Sequence, residues 1–289
     1  MSSVANPNQD FIDFWNSTLV DKFNRYRHIL REGMRHHSDT AFQKLKLPPG
    51  SRVLDVGCGW GDTSLVLAHL VGPSGTVVGI DCCDNFLQTA REDAKAQRVS
   101  NVEFTLSDVQ IHPFEPIYDL CFSRFGTMFF ANPVAALRNM RKSLKPGGQL
   151  MIVVWRMIED NPWFGVPKEV VLQFLPPPGD NASTCGPGPF SMASESVVSA
   201  QLKAAGYIDF KFERVDGPVE IGNTPEKATQ FQLALGPAGE IFREAGEVAE
   251  RHRQNIEAAL RDHLARYMNG GKIVMNSSSW VITARNPGG

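Results

Sequence analysis

The sequence predicts an α/β fold: a doubly wound, mostly parallel seven-stranded sheet covered by helices. Three observations carry that reading. Short apolar runs alternate with amphipathic helical runs from about residue 50 to residue 155. A turn with three glycines in five residues, Gly57, Gly59 and Gly61, follows the first apolar run. The last stretch, KIVMNSSSWVITARN, alternates like a strand and comes after a long helical segment.

Taken in order, residues 1–49 read as a helical lid. Phe11, Trp15, Leu19, Phe23, Tyr26 and Leu30 recur at helical spacing. The stripe either packs a helix on the core or turns its aromatics toward a ligand, and the two are compatible. Pro48, Pro49 and Gly50 end this region. SRVLDV then reads as a buried strand, DTSLVLAHLV as a helix with Leu65, Leu67 and Ala68 inward, and GTVVGID as a second strand. NFLQTAREDAKAQ is an amphipathic helix; NVEFTLSD and IYDLCFS are the third and fourth strands. ANPVAALRNMRKSL is a helix closed by KPGG, and QLMIVVW is the fifth strand. Strands separated by helices need crossovers, which are right-handed and leave neighbouring strands parallel.

After Trp155 the pattern changes. FLPPPGDNASTCGPGPF is too long for a tight turn and reads as a functional or a mobile loop. SESVVSAQLKAAG is a helix, and YIDFKFERV is a strand expected to pair antiparallel with the last one. The helical run between them, about residues 222–268, reads as an insertion. The chain is therefore divided into a lid, 1–49, and one domain, 50–289. No internal repeat is visible.

Bulk properties narrow the function. The net charge is −2. The main basic cluster, Arg138, Arg141, Lys142 and Lys145, is spread along one predicted helix. Nucleic acid needs a basic face, so it is not the expected partner. No stretch approaches the roughly 20 apolar residues of a membrane span, and MSSVANPNQD has no signal-peptide pattern. The five cysteines, Cys58, Cys82, Cys83, Cys121 and Cys185, form neither a CxxC pair nor a zinc spacing, so reduced thiols, a cytoplasmic location and no metal site are expected. A homodimer is left open.

The glycine turn VLDVGCGWGD narrows it further. In an open parallel sheet, ligands bind at the carboxyl ends of the strands, and glycines there let a ligand touch the backbone. A dinucleotide fingerprint is G-x-G-x-x-G. Here the sixth position is Asp62, and Asp55 precedes the first glycine by two residues. Acids at this turn repel a pyrophosphate and suit a cationic group. S-adenosylmethionine carries a sulfonium and an ammonium and no phosphate, so it is the cofactor expected. Two alternatives stay open: a nicotinamide oxidoreductase on a similar sheet, and a protein that binds the cofactor without turnover.

LDVGCGWG resembles the first motif of class I S-adenosylmethionine-dependent methyltransferases, which have a Rossmann-like fold. The other motifs follow in order: GID, SDVQ, SRFGTMFF and LKPGGQLMIVVW. DVQIHPF, SRFGTMFFANP and the C-terminal stretch further resemble a small-molecule subgroup akin to the ubiquinone/menaquinone methyltransferases. The resemblance covers residues 50 to 155 closely and the rest loosely. It implies that Asp81 binds the ribose hydroxyls and Asp108 reads the adenine amino group. Cys82 lies beside the adenine, where the family has a small or apolar residue. It further implies that Gly57, Cys58, Gly59 and Gly61 surround the methionine end, with Val109 and Ser123 at neighbouring strand ends, and that Asp55 either orients the glycine turn or contacts the ammonium group.

Methyl transfer needs alignment, exclusion of water and, for a hydroxyl acceptor, loss of a proton. His36 and His37 in the lid and His112 in the IHPF turn are the candidate bases, with Tyr26 a further option. Arg124, Met128, Trp155 and Trp163, with Phe125, Phe129, Phe130 and Phe164 nearby, are the expected wall for a small aromatic or apolar acceptor. Arg124 either binds an anionic group or pairs with an acid. The Gln173–Phe190 loop and the insertion are expected to close the pocket.

Overall fold

The computed structural model describes residue 6 and residues 8–179 and 186–288. Residues 180–185, inside the loop assigned to pocket closure, and with them Cys185, lie outside the described residues. Five parallel strands form the sheet's first half: β1 (Arg52–Val56), β2 (Thr76–Asp81), β3 (Val102–Leu106), β4 (Tyr118–Arg124) and β5 (Leu144–Trp155). Two long strands complete it, β6 (Ile208–Gly222) and β8 (Lys272–Arg285), and the two-residue β7 (Met268–Asn269) is a hairpin arm on β8. The order is β3-β2-β1-β4-β5-β8-β6, with β8 antiparallel to both neighbours. The predicted seven strands are this path, and β7 is the eighth.

The strands run where apolar residues are continuous. Val53, Leu54 and Val56 of β1 and Leu120, Cys121 and Phe122 of β4 are fully buried, as both faces of a parallel sheet are covered. Two boundaries differ from expectation. β6 continues past YIDFKFERV through Gly217 and Pro218; among the described residues it pairs with β8 alone, so it is an edge strand, where proline is tolerated. β5 starts at Leu144, which pairs with Tyr118 before a register shift resumes the ladder at Leu120 and Gln149. KPGG is thus an irregularity within the strand.

The covering helices are α5 (Asp62–Val71), α6 (Asp84–Ala96), α7 (Pro133–Ser143) and α9 (Glu195–Ala205). Proline at the first turn and the Asn132 side chain accepting the Ala135 N–H at 3.0 Å fix the start of α7. The N-terminal stripe is four short helices, α1 (Gln9–Phe14), α2 (Val20–Arg25), α3 (Arg27–Gly33) and α4 (Arg35–Lys44), with a π-helical turn at Trp15–Leu19 joining the first two. No described helix is long and apolar enough to cross a membrane.

The insertion carries α10 (Pro225–Ala234), α11 (Gly236–Ala245) and α12 (Glu247–Ala265); α11 and α12 rest on α8 (Pro162–Val171), and α10 packs on them and on β6. A second apolar cluster, including Val170, Val171, Ile241, Phe242, Ile256 and Leu260, holds α8, α11 and α12 together. Two polar contacts fix α8. Pro167 has no N–H to give the Trp163 carbonyl, and the buried Gln232 side chain of α10 supplies that bond at 2.9 Å. Fully buried Asn161 accepts the Ser278 N–H at 2.9 Å and donates to the Met157 and Ser278 carbonyls, both at 3.0 Å. While the Ser278 carbonyl keeps the Arg156 N–H at 3.1 Å, Asn161→Ala leaves the buried Ser278 N–H unpaired. It is expected to cost about 3 kcal/mol, read as a lower urea midpoint with an unchanged m-value; an unchanged midpoint contradicts the anchoring role.

Candidate functional site

A cavity of ≈ 480 Å³ opens at the carboxyl ends of β1, β2, β3 and β4, under α1–α3 and beside α8, α10 and α11. Its walls are mainly aromatic and aliphatic, with a few convergent polar groups, as in small-molecule sites.

The glycine turn is pinned to β2. The Gly57 and Cys58 N–H groups both donate to the Ile80 carbonyl, at 2.8 and 3.2 Å, and Gly59 N–H donates to Asp81 Oδ2 at 2.8 Å. All three glycines have positive φ, but the space around them differs. A Cβ on Gly61 would meet Phe104 at 2.7 Å and Ala90 at 2.9 Å; one on Gly57 would meet the Gly126 backbone at 3.1 Å. A Cβ on Gly59 would meet nothing within 4 Å. Gly57 and Gly59 line the cavity, while Gly61 does not and serves helix packing.

The acids divide in the same way. Asp55, expected either to orient the glycine turn or to meet the cofactor, is turned inward: its Oδ2 accepts the Thr63 and Ser64 hydroxyls at 2.7 and 2.6 Å. Burial pushes its pKa up to about 6, against the pull of those two hydrogen bonds. Asp62 lines the cavity but is paired with Arg124 at 2.9 Å, and Arg124 also donates to Ser38 at 3.0 Å. The acids therefore do not form the free negative cradle expected. Asp81 does line the cavity. Burial raises its pKa, and the Gly59 and Cys83 N–H groups, 2.8 and 2.9 Å away, oppose that rise. Asp108 accepts the Gln110 N–H through Oδ1 at 2.9 Å, and its buried Oδ2 has no partner. Cys58, Cys82 and Val109 also line the cavity. Ser123 does not; its hydroxyl is spent on the Val56 carbonyl at 2.7 Å.

Of the acceptor-wall residues, Arg124, Met128, Trp155 and Trp163 all line the cavity. Phe125 holds a left-handed backbone, φ +57°, and stacks on Trp155 with ring centroids 3.9 Å apart. A bulky residue in that region is strained, and such strain collects at sites. From the stripe, Phe11, Trp15, Leu19, Phe23 and Leu30 face the cavity, whereas Tyr26 packs on Phe231.

The three histidines are a correction to the expected bases, since none lines the cavity. His36 bonds the Asp216 carbonyl at 3.0 Å, and His112 bonds Ser107 at 3.0 Å. His37 is fully buried between Ser277 and Ser279 of β8, at 2.7 and 2.8 Å. Ser277 already donates to the Gly217 carbonyl, so it accepts from His37 Nε2–H, and Nδ1 accepts from Ser279. The ring is a neutral clamp between α4 and the sheet, and burial holds its pKa down at about 4.

Among the lining residues not singled out from the sequence are Phe231, Lys168 and Glu240. Lys168 follows the predicted Phe164 by four residues on α8, and Glu240 follows Gly236 by four on α11, so helical spacing places each beside its neighbour.

Comparison with known proteins agrees with this geometry. Residues 47–171 match the family described as a methyltransferase domain. Demethylmenaquinone methyltransferase from Staphylococcus carnosus is 34% identical over 133 residues, 46% of this chain and 54% of that protein. The counterpart from Bacillus cytotoxicus is 32% identical over 143 residues, 49% and 56% of the two chains. The chain thus spans about half the length of the curated relatives it matches. Phosphoethanolamine N-methyltransferase 2 from Haemonchus contortus, solved with S-adenosyl-L-methionine, superposes with a TM-score of 0.60 at 19% identity, covering 96% of this chain and 60% of its own. The resemblance read from the sequence stands: residues 47–171 match a methyltransferase domain, the fold is Rossmann-like, and the chain is similar to the quinone methyltransferases.

Two expectations follow. Gly61→Ala is expected to cost about 2 kcal/mol or more in stability through its clash and φ. Gly59→Ala folds but fills the open space, and weakens S-adenosylhomocysteine binding at least about tenfold in calorimetry; equal behaviour of the two contradicts the division. For His37, the folded pKa lies below the usual 6.5, so its contribution is present above pH 6.5 and lost as pH falls through about 4. Relative to His37→Gln, wild-type stability should fall across that window, and parallel pH profiles contradict the clamp.

Proposed function

We propose that this chain, whose residues 47–171 match a methyltransferase domain, transfers a methyl group from S-adenosylmethionine to a small, flat, mainly apolar acceptor held beneath α1–α3. One observation carries the reading. A single cavity joins the polar ends of β1, β2 and β3 to an aromatic chamber of helical residues, so cofactor and acceptor can meet without solvent between them.

The residues fit the cofactor. Asp108 Oδ2 is a buried acceptor without a partner, suited to an amino N–H of adenine. Asp81, oriented by two backbone N–H groups, has lone pairs left for vicinal ribose hydroxyls. The open side of Gly59 admits close approach to the backbone. The Arg124–Asp62 pair sets a cation beside an anion on the wall, matching the carboxylate and ammonium of a methionine moiety. S-adenosylmethionine, when bound, supplies a methyl group already activated by its sulfonium charge.

The rest of the chain positions and desolvates. Trp155, Phe164, Phe190 and Phe231 exclude water, and their ring faces attract positive charge. α1–α3 act as the lid and α10 and α11 as the side wall. The relatives' own acceptor is, by name, a demethylmenaquinone, which supports a quinone-like or phenolic ring here. The net charge of −2 and the enclosed cavity favour such a molecule over nucleic acid.

The test is transfer of radiolabelled methyl to a panel of quinols, phenols and amines, with Asp81→Ala and Asp108→Asn beside the wild type. Each variant should lose at least about tenfold in S-adenosylhomocysteine affinity, the scale of one charge-assisted hydrogen bond, with its melting temperature retained. Unchanged affinity in both would overturn the cofactor assignment.

A further inference from the structure

The cavity-lining cations are Arg124 and Lys168, and they are not equivalent. Arg124 is answered by Asp62 at 2.9 Å. Lys168 is half-buried on α8 and, among the described residues, makes no hydrogen bond or ion pair. The nearby carboxylate of the α11 wall, Glu240, is engaged by Arg243, whose Nε and Nη2 both donate to its Oε2, at 3.1 and 2.7 Å. Trp163, five residues before Lys168 on the same helix, also lines the cavity. Its indole N–H is buried and has no partner.

Ammonium and indole N–H groups can only donate. An unpaired buried indole N–H is costly, and an unpaired ammonium beside apolar walls is free to meet an anion. Around them are rings: Trp163 and Phe164 lie 3.6 Å apart, and Phe190 meets Phe164 edge-on at 5.3 Å. The protein thus offers a cavity with aromatic walls and, on α8, two donors to which no acceptor of its own is committed.

We propose that α8 is the acceptor-recognition element, and that the acceptor is a flat apolar molecule bearing one anionic oxygen, held by Lys168 and Trp163. This rests on the methyltransferase reading and narrows its substrate class. A phenol or enol bound there is stabilised as its oxyanion, its proton having gone to solvent. That accounts for a cavity without a histidine among its described walls: an acceptor that arrives ionised needs no general base. Lys168 acts as a specificity-determining and charge-stabilising residue.

The test measures binding to the full chain saturated with S-adenosylhomocysteine, by calorimetry at pH 8. The probes are an acidic naphthol, its methyl ether and the corresponding naphthoate. Wild type should bind the naphtholate at least about tenfold more tightly than the ether, the scale of a charge-assisted hydrogen bond. Lys168→Gln should remove that preference, Lys168→Arg should keep most of it, and Trp163→Phe should reduce it in part. All variants should bind S-adenosylhomocysteine as wild type does. A Lys168-dependent preference for naphthoate over naphtholate would place a carboxylate rather than a hydroxyl on the acceptor. Equal binding of naphtholate and ether by wild type, or a preference that survives in Lys168→Gln, would overturn the proposal. Failure of wild type to bind S-adenosylhomocysteine would instead overturn the cofactor reading beneath it.

Discussion

The site depends on one contact, the Gly59 N–H donated to the Asp81 carboxylate at 2.8 Å. It ties the turn after β1 to the end of β2, and the paired Gly57 and Cys58 bonds to Ile80 hold the turn from behind. The carboxylate is oriented by that bond, and the open face of Gly59 is set beside it. Asp62 then begins α5 where it meets Arg124 from β4. Shifting the turn would misplace the groups of four strand ends together, and cavity geometry at this scale governs alignment.

Such a turn needs residues that reserve its space. Gly61 leaves room for Phe104 and Ala90, and Gly57 for Gly126. Asp55, buried beneath and bonded to Thr63 and Ser64, closes the first turn of α5 from inside the core. Three glycines that look alike in the sequence have three different tasks, and only one of them faces the open space. The helical cover is fixed by separate polar contacts: His37 to β8, Asn161 to Ser278, and Gln232 at the gap left by Pro167. These contacts hold α4 on β8 and α8 on both β8 and α10, although the partners are far apart in sequence.

The sheet was legible because its strands are continuous apolar runs punctuated by glycine turns, and periodicity reports burial directly. Asp81 and Asp108 were legible because each ends such a run. The roles of Asp55 and Ser123 were not, since a carboxylate or hydroxyl facing the core and one facing a ligand share the same position in the strand pattern. The histidines misled for a related reason. His37 looks like a base in a lid, but two serines at alternate positions of a strand 240 residues away make it a clamp. Lys168 and Glu240 escaped notice because a charged residue on an amphipathic helix ordinarily faces solvent. Only the packing of α8 and α11 over the sheet turns them inward.

The central claim is that the turn and the two strand-end aspartates hold S-adenosylmethionine rather than a dinucleotide. Calorimetric titration of the purified chain with S-adenosylmethionine, S-adenosylhomocysteine and NAD tests it most directly. The account predicts saturable one-site binding of the first two, in the micromolar range, and no heat from NAD. Binding of NAD, or silence toward all three, would contradict it.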